Sequence, residues 1–165
     1  MKIYVWGIRS NSGFGTHFGN FIDTFKKYHL FRQYIQEVNI AVDNLESIAR
    51  ATTDNDLHII FPSFIDFDQL KTPPIRGKFI KWAIFETDLL PYEFLRYINN
   101  SDAVWTPTNW AYQILKNSGV PAEKIDIIPE GVDTTLYHPF LRSFFTKDDT
   151  FRFFMFGKCE ERKGY

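Results

Sequence analysis

Short apolar runs rich in β-branched and aromatic residues alternate along this chain with segments whose apolar residues recur at helical spacing, which leaves few architectures open. Residues 2–6 form such a run, ending at Gly7. A Ser/Gly/Asn loop, RSNSGFGTHFG, then leads into Phe14, Phe18, Phe21, Ile22 and Phe25, spaced for one helix face. Residues 34–42 read as a second strand, and Asp43 as the N-cap of a helix with Leu45, Ile48 and Ala49 on one side. Residues 57–61 are continuously apolar, as in a parallel strand covered on both faces, and Pro62 ends them. Pro73 and Pro74 mark an irregular connection. Residues 78–85 read as the next strand, with Pro91 in the first turn of a helix carrying Phe94, Leu95 and Ile98. Residues 103–106 are a strand again. Thr108 caps a helix bearing Ala111, Ile114 and Leu115, which stops at Ser118 and Gly119 with Pro121 beyond. Residues 124–128 supply one more strand before Pro129.

Strands and helices alternating at this spacing predict a mainly parallel sheet with helices on both faces, because right-handed crossovers put them there. The expected fold class is α/β, a Rossmann-like doubly wound domain over residues 1–140. After Asp133 the pattern becomes linker-like, and residues 151–156, four Phe and a Met around Arg152, read as a strand ending at Gly157. Residues 141–165 are therefore expected to be a linker and the first strand and basic loop of a second, truncated domain.

At 165 residues the chain is long enough to build a core without staples. Its 19 Lys plus Arg against 20 Asp plus Glu remove the long-range field that nucleic-acid or anionic-membrane binding requires. A single cysteine, Cys159, excludes an internal disulfide and any Cys-based zinc site, and the apolar runs are strand-sized. The expectation is a cytoplasmic protein with no transmembrane segment and no nucleic-acid partner.

The ligand of such a fold lies beyond the carboxyl ends of the strands. There Gly13 and Gly15 allow close backbone approach at a helix start whose N–H groups suit an anion, though a plain tight turn explains them as well. Gly13, Gly15 and Gly19 are spaced one residue wider than the dinucleotide fingerprint. His17 follows in the first turn, facing the expected cleft, though an ordinary surface-helix histidine explains it as well. Glu86 and Asp88 sit between a strand end and the helix at Pro91, where a carboxylate either accepts hydrogen bonds from sugar hydroxyls or complements the helix dipole. Arg162 and Lys163 precede Gly164 as a basic pair suited to a diphosphate, or simply form a solvated end. The four histidines have no metal-ligand spacing, and no serine occupies a nucleophile elbow.

Residues 85–138, FETDLLPYEFLRYINNSDAVWTPTNWAYQILKNSGVPAEKIDIIPEGVDTTLYH and the Pro-Phe after them, with FRFFMFGKCEERKG further on, resemble the central portion of family 4 glycosyltransferases of the GT-B architecture. The most specific parts are Glu86-Thr87 with Pro91, residues 105–109, Ser118-Gly119-Val120 and Pro129-Glu130-Gly131-Val132-Asp133. The glycine loop agrees with them.

The resemblance implies two facing Rossmann-like domains, the first chiefly holding the acceptor and the second the nucleotide-sugar donor. It implies that Gly13 and Gly15 border the donor phosphates and reacting sugar, that His17, Glu86 and Asp88 lie on the acceptor or sugar side, and that Arg162 and Lys163 grip the diphosphate. Gly131 and Asp133 match the segment leading between the domains. The implied reaction is a retaining transfer whose leaving diphosphate is stabilised by positive charge and helix dipole, with no metal or resident cofactor. The partners are a nucleotide-sugar and a glycan or other acceptor. The family's donor-side Glu-rich motif is not in this sequence, so these residues alone are expected to be inactive, the donor half coming from the same gene or another chain. Two rivals remain: an NAD-type oxidoreductase domain with Asp43 as a displaced ribose ligand, and a non-catalytic interaction module presenting residues 151–156.

Overall fold

The computed structural model describes residues 1–27, 29–61, 74–138, 153 and 161. It shows an α/β fold built on one six-stranded sheet, every pairing parallel. In chain order the elements are β1 (Ile3–Gly7), α1 (Gly13–Lys27), α2 (His29–Arg32), β2 (Ile35–Asn39), α3 (Leu45–Ala51), β3 (Leu57–Ile60), β4 (Lys78–Trp82), α4 (Tyr92–Asn99), β5 (Ala103–Thr106), α5 (Asn109–Asn117), a 3-10 turn (Ala122–Lys124) and β6 (Ile125–Ile127). The strand order β2-β1-β3-β4-β5-β6 reverses direction between β1 and β3. In doubly wound sheets a crevice opens at such a reversal, outside the carboxyl ends of the strands.

Alternation along β1 shows why both faces need covering. Ile3 and Val5 pack with Phe18 and Ile22 of α1, whereas Tyr4 and Trp6 turn to the opposite face and pack with Leu45 and Ile48 of α3. On β5, Val104 packs with Ile98 of α4 and Leu115 of α5, while its neighbour Trp105 joins the α1 side. The fold is thus Rossmann-like and doubly wound, with helices on both faces.

Several boundaries differ from the sequence expectation. The cap of α3 is Asn44, whose side chain accepts from Ser47 N at 3.0 Å, and not Asp43. Asp43 instead accepts from the Asn39 amide at 2.7 Å and closes the turn after β2. Pro91 is the N-cap of α4, one residue before its first turn. Regular pairing in β4 ends at Trp82, not residue 85, and α2 was not anticipated. Thr108 caps α5 as expected, accepting from Ala111 N at 3.1 Å, and Gly119 at φ +93° ends that helix in the left-handed region. Phe14, placed on the buried face of α1 by its spacing, is 49% exposed.

The chain divides into two compact units, Met1–Glu130, which holds the whole sheet, and Gly131–Tyr165. Within the second, Asp133 opens a turn: its carboxylate accepts from Thr135 N at 2.9 Å and its carbonyl from Tyr137 N at 2.8 Å. No helix among the described residues is long and apolar enough to cross a membrane.

Candidate functional site at the carboxyl edge of the sheet

The β1–α1 loop is organised by serine hydroxyls. Ser12 Oγ accepts from Gly15 N at 3.1 Å and from or donates to Ser10 Oγ at 2.7 Å, capping α1. Gly15 is buried against Ser10, and a Cβ there would collide with the Ser10 hydroxyl and backbone. Its glycine is therefore required by helix–loop packing. Gly13 differs: it is exposed, and a Cβ there would meet nothing within 4 Å. Of the two, Gly13 is the one that leaves open space at the helix start.

An ion-pair network anchors this loop. Arg9 Nε donates to Glu37 Oε1 of β2 at 2.5 Å, Arg9 Nη2 donates to Asp23 Oδ1 of α1 at 2.8 Å, and Lys26 Nζ reaches Glu37 Oε2 at 2.7 Å. Hydrogen bonds from Arg9 hold both carboxyls below their usual range, and those same bonds raise Arg9 further above its own. A cleft of about 330 Å³ opens beside it, lined by Arg9, Ser10, Asn11, Thr16, Asn20 and Asp23 among others. Its walls carry neutral hydroxyl and amide groups beside the Arg9–Asp23 ion pair, whose charges offset one another. That composition favours a polar, hydroxyl-bearing molecule over a free phosphate.

His17 lies on a different face of α1 from this cleft. Its ring packs edge-on to Phe61 at 5.0 Å and Trp82 at 4.7 Å between centroids, at the ends of β3 and β4. Its Nδ1 comes within 3.1 Å of Glu130 Oε1, just after β6, without the alignment of a hydrogen bond. Burial pushes the imidazole below its ordinary value, and Glu130 opposes that shift. Where the sequence expectation is a His17 facing an open cleft, aromatic rings enclose most of the side chain.

Glu86 and Asp88 are exposed on the segment between β4 and α4, where Thr87 Oγ1 accepts from Leu89 N at 3.2 Å. Neither is the N-cap of α4, which is Pro91. Gly131 and Asp133 belong to the second unit, and Arg162, Lys163 and all of residues 151–156 except Phe153 lie outside the described residues. The structure thus brings Gly13, Gly15 and His17 together on α1 and adds Glu130 to them. Asp43, the displaced ribose candidate of the dinucleotide rival, accepts from the Asn39 amide through one carboxylate oxygen and is exposed.

The sequence alone did not disclose a second histidine cluster. His58 is fully buried, accepts at Nδ1 from Trp6 Nε1 at 3.0 Å, and meets the Arg76 carbonyl through Nε2 at 2.9 Å. Tyr4 and Phe79 stack on its two faces at 5.1 and 4.8 Å. Those hydrogen bonds require a neutral ring with the proton on Nε2, and burial lowers its affinity for a second proton. With every polar atom satisfied inside the core, His58 serves structure. Among the described residues no group of three His, Cys, Asp or Glu side chains is placed to hold a metal ion. No protein-family model matches this chain, and no curated protein matches it in sequence.

Proposed function

We propose that this chain is the acceptor-side half of a GT-B glycosyltransferase of the family 4 kind, joined to the opening strand and basic loop of the donor-binding half. In this reading the whole enzyme moves a sugar from a nucleotide-sugar to a glycan or other hydroxyl acceptor in the cytoplasm, with no metal or resident cofactor. Gly13 and Gly15 border the donor phosphates, His17, Glu86 and Asp88 face acceptor or sugar, Gly131 and Asp133 belong to the interdomain segment, and Arg162 and Lys163 grip the diphosphate. The observation that carries the reading is the meeting of the glycine-loop helix with Glu130, through His17, at the carboxyl edge of the sheet. Two segments that the resemblance singles out, far apart in sequence, share one place where a doubly wound sheet binds ligands. The polar cleft beside Arg9 supports it further, being furnished for hydroxyls.

Two titrations of the purified chain test the reading. Saturation-transfer NMR against a panel of mono- and oligosaccharides should give saturable binding that Gly13→Val weakens, while NADH fluorescence should show no saturable response. Saturable NADH binding without any carbohydrate response would overturn it.

A further inference from the structure

The two ring nitrogens of His17 have different surroundings. Nδ1 is enclosed and faces the Glu130 carboxylate at 3.1 Å. Nε2 is not among the enclosed, unpartnered atoms and makes no hydrogen bond among the described residues, so it is reached by solvent. A neutral imidazole carries one proton, and a carboxylate beside Nδ1 stabilises it there, because a lone pair in that position would face negative charge. Nε2 is then left with its lone pair exposed. Glu130 is half exposed and rotates readily into line, whereas the His17 ring, 16% exposed at its side chain, is held edge-on between Phe61 and Trp82. The result is a fixed hydrogen-bond acceptor at the edge of the sheet where ligands collect. Among the described residues, Glu130 is the one charged group acting on His17 from α1, the ends of β3 and β4, or the segment after β6.

We propose that His17 and Glu130 form a carboxylate-oriented histidine whose bare Nε2 accepts the hydrogen bond of a sugar hydroxyl. His17 touches the ligand, and Glu130 is a positioning residue acting through it. The choice of a sugar hydroxyl rests on the glycosyltransferase reading, while the tautomer and its orientation by Glu130 do not.

The test is 15N NMR of the histidine-labelled 165-residue chain, with His17→Phe identifying the His17 resonances. At pH 8 the wild type should show Nδ1 protonated and Nε2 bare. Glu130→Ala should shift the tautomer toward Nε2–H, and Glu130→Asp should restore it, a pattern that loss of packing alone would not produce. Glucose should move the Nε2 resonance, permethylated glucose should not, and His17→Phe should weaken glucose binding about five- to tenfold, the loss of one hydrogen bond. An Nε2–H tautomer in the wild type, or one indifferent to Glu130→Ala, overturns the proposal and leaves the glycosyltransferase reading standing. The expected tautomer with sugars bound elsewhere and Nε2 unmoved overturns the hydroxyl role only. Absence of binding to any carbohydrate of the panel removes the glycosyltransferase reading and the sugar assignment together, with the Glu130-oriented tautomer still read directly.

Discussion

Gly15 and His58 each occupy a place that another residue fills only at a cost in stability, for opposite reasons. Gly15 meets Ser10 so closely that any side chain must push the helix start away from the loop. Gly15→Val is expected to cost about 1–3 kcal/mol, as overpacking does, read as a lowered urea midpoint. Gly13→Val, facing open space, should stay within about 1 kcal/mol in the same measurement, separating a binding effect from a folding one. At His58 the ring satisfies the Trp6 indole N–H inside the core. His58→Phe keeps the stack with Tyr4 and Phe79 but strands that donor, so about 1–3 kcal/mol of stability should be lost at neutral pH. Neither role is visible locally. Gly15 reads equally as a tight turn or a phosphate loop, and His58 is one polar residue inside an apolar run whose partners, Trp6 and Arg76, lie on other segments.

At the scale of elements, the caps and the ion pairs divide the work differently. Asn44 and Thr108 each satisfy a free amide at a helix start, and Asn44→Ala or Thr108→Ala should each cost about 1 kcal/mol. The two sites serve different helices and share no partner, so the double variant should lose the sum in chemical denaturation. The Arg9, Asp23, Glu37 and Lys26 network spans α1, β2 and the loop, but its side chains are largely exposed and solvent screening keeps each pair worth little. Its consequence is placement of the loop more than stability. Element types were legible wherever periodicity ran over several residues, as in α1, α5 and β3. The ends were not, because competition between Asp43 and Asn44 for the cap of α3 is decided by where β2 releases the chain, and the Asn39 amide captures Asp43 first.

The acid response belongs to the whole molecule. His58 and His17 both bind protons less readily in the folded chain than at their ordinary value of 6.5, chiefly through burial. Below that value the unfolded chain takes up protons that the folded chain refuses, so their contribution is complete above about pH 6.5 and is lost as pH falls through and below it. Asp23 and Glu37, held below their usual values by Arg9, lose their contribution only at more acid pH. Urea unfolding should therefore show stability declining from pH 7 to pH 5, above the range in which Asp23 and Glu37 lose their contribution. His58→Phe should flatten that decline; an unchanged slope would place its origin elsewhere.

Local chemistry in this sequence determined the alternation of strand and helix, and with it the parallel, doubly wound sheet, since period and breaker residues act over a few neighbours at a time. It marked Gly13, Gly15 and His17 as candidates, while the segment around Glu130 was singled out only by the family resemblance. Only tertiary structure decided that Gly15 is held by Ser10, that Asp43 closes a turn, and that Glu130 comes to face His17. Those outcomes depend on strand order and on which helix covers which face, and such contacts join residues whose separation along the chain carries no periodic signal.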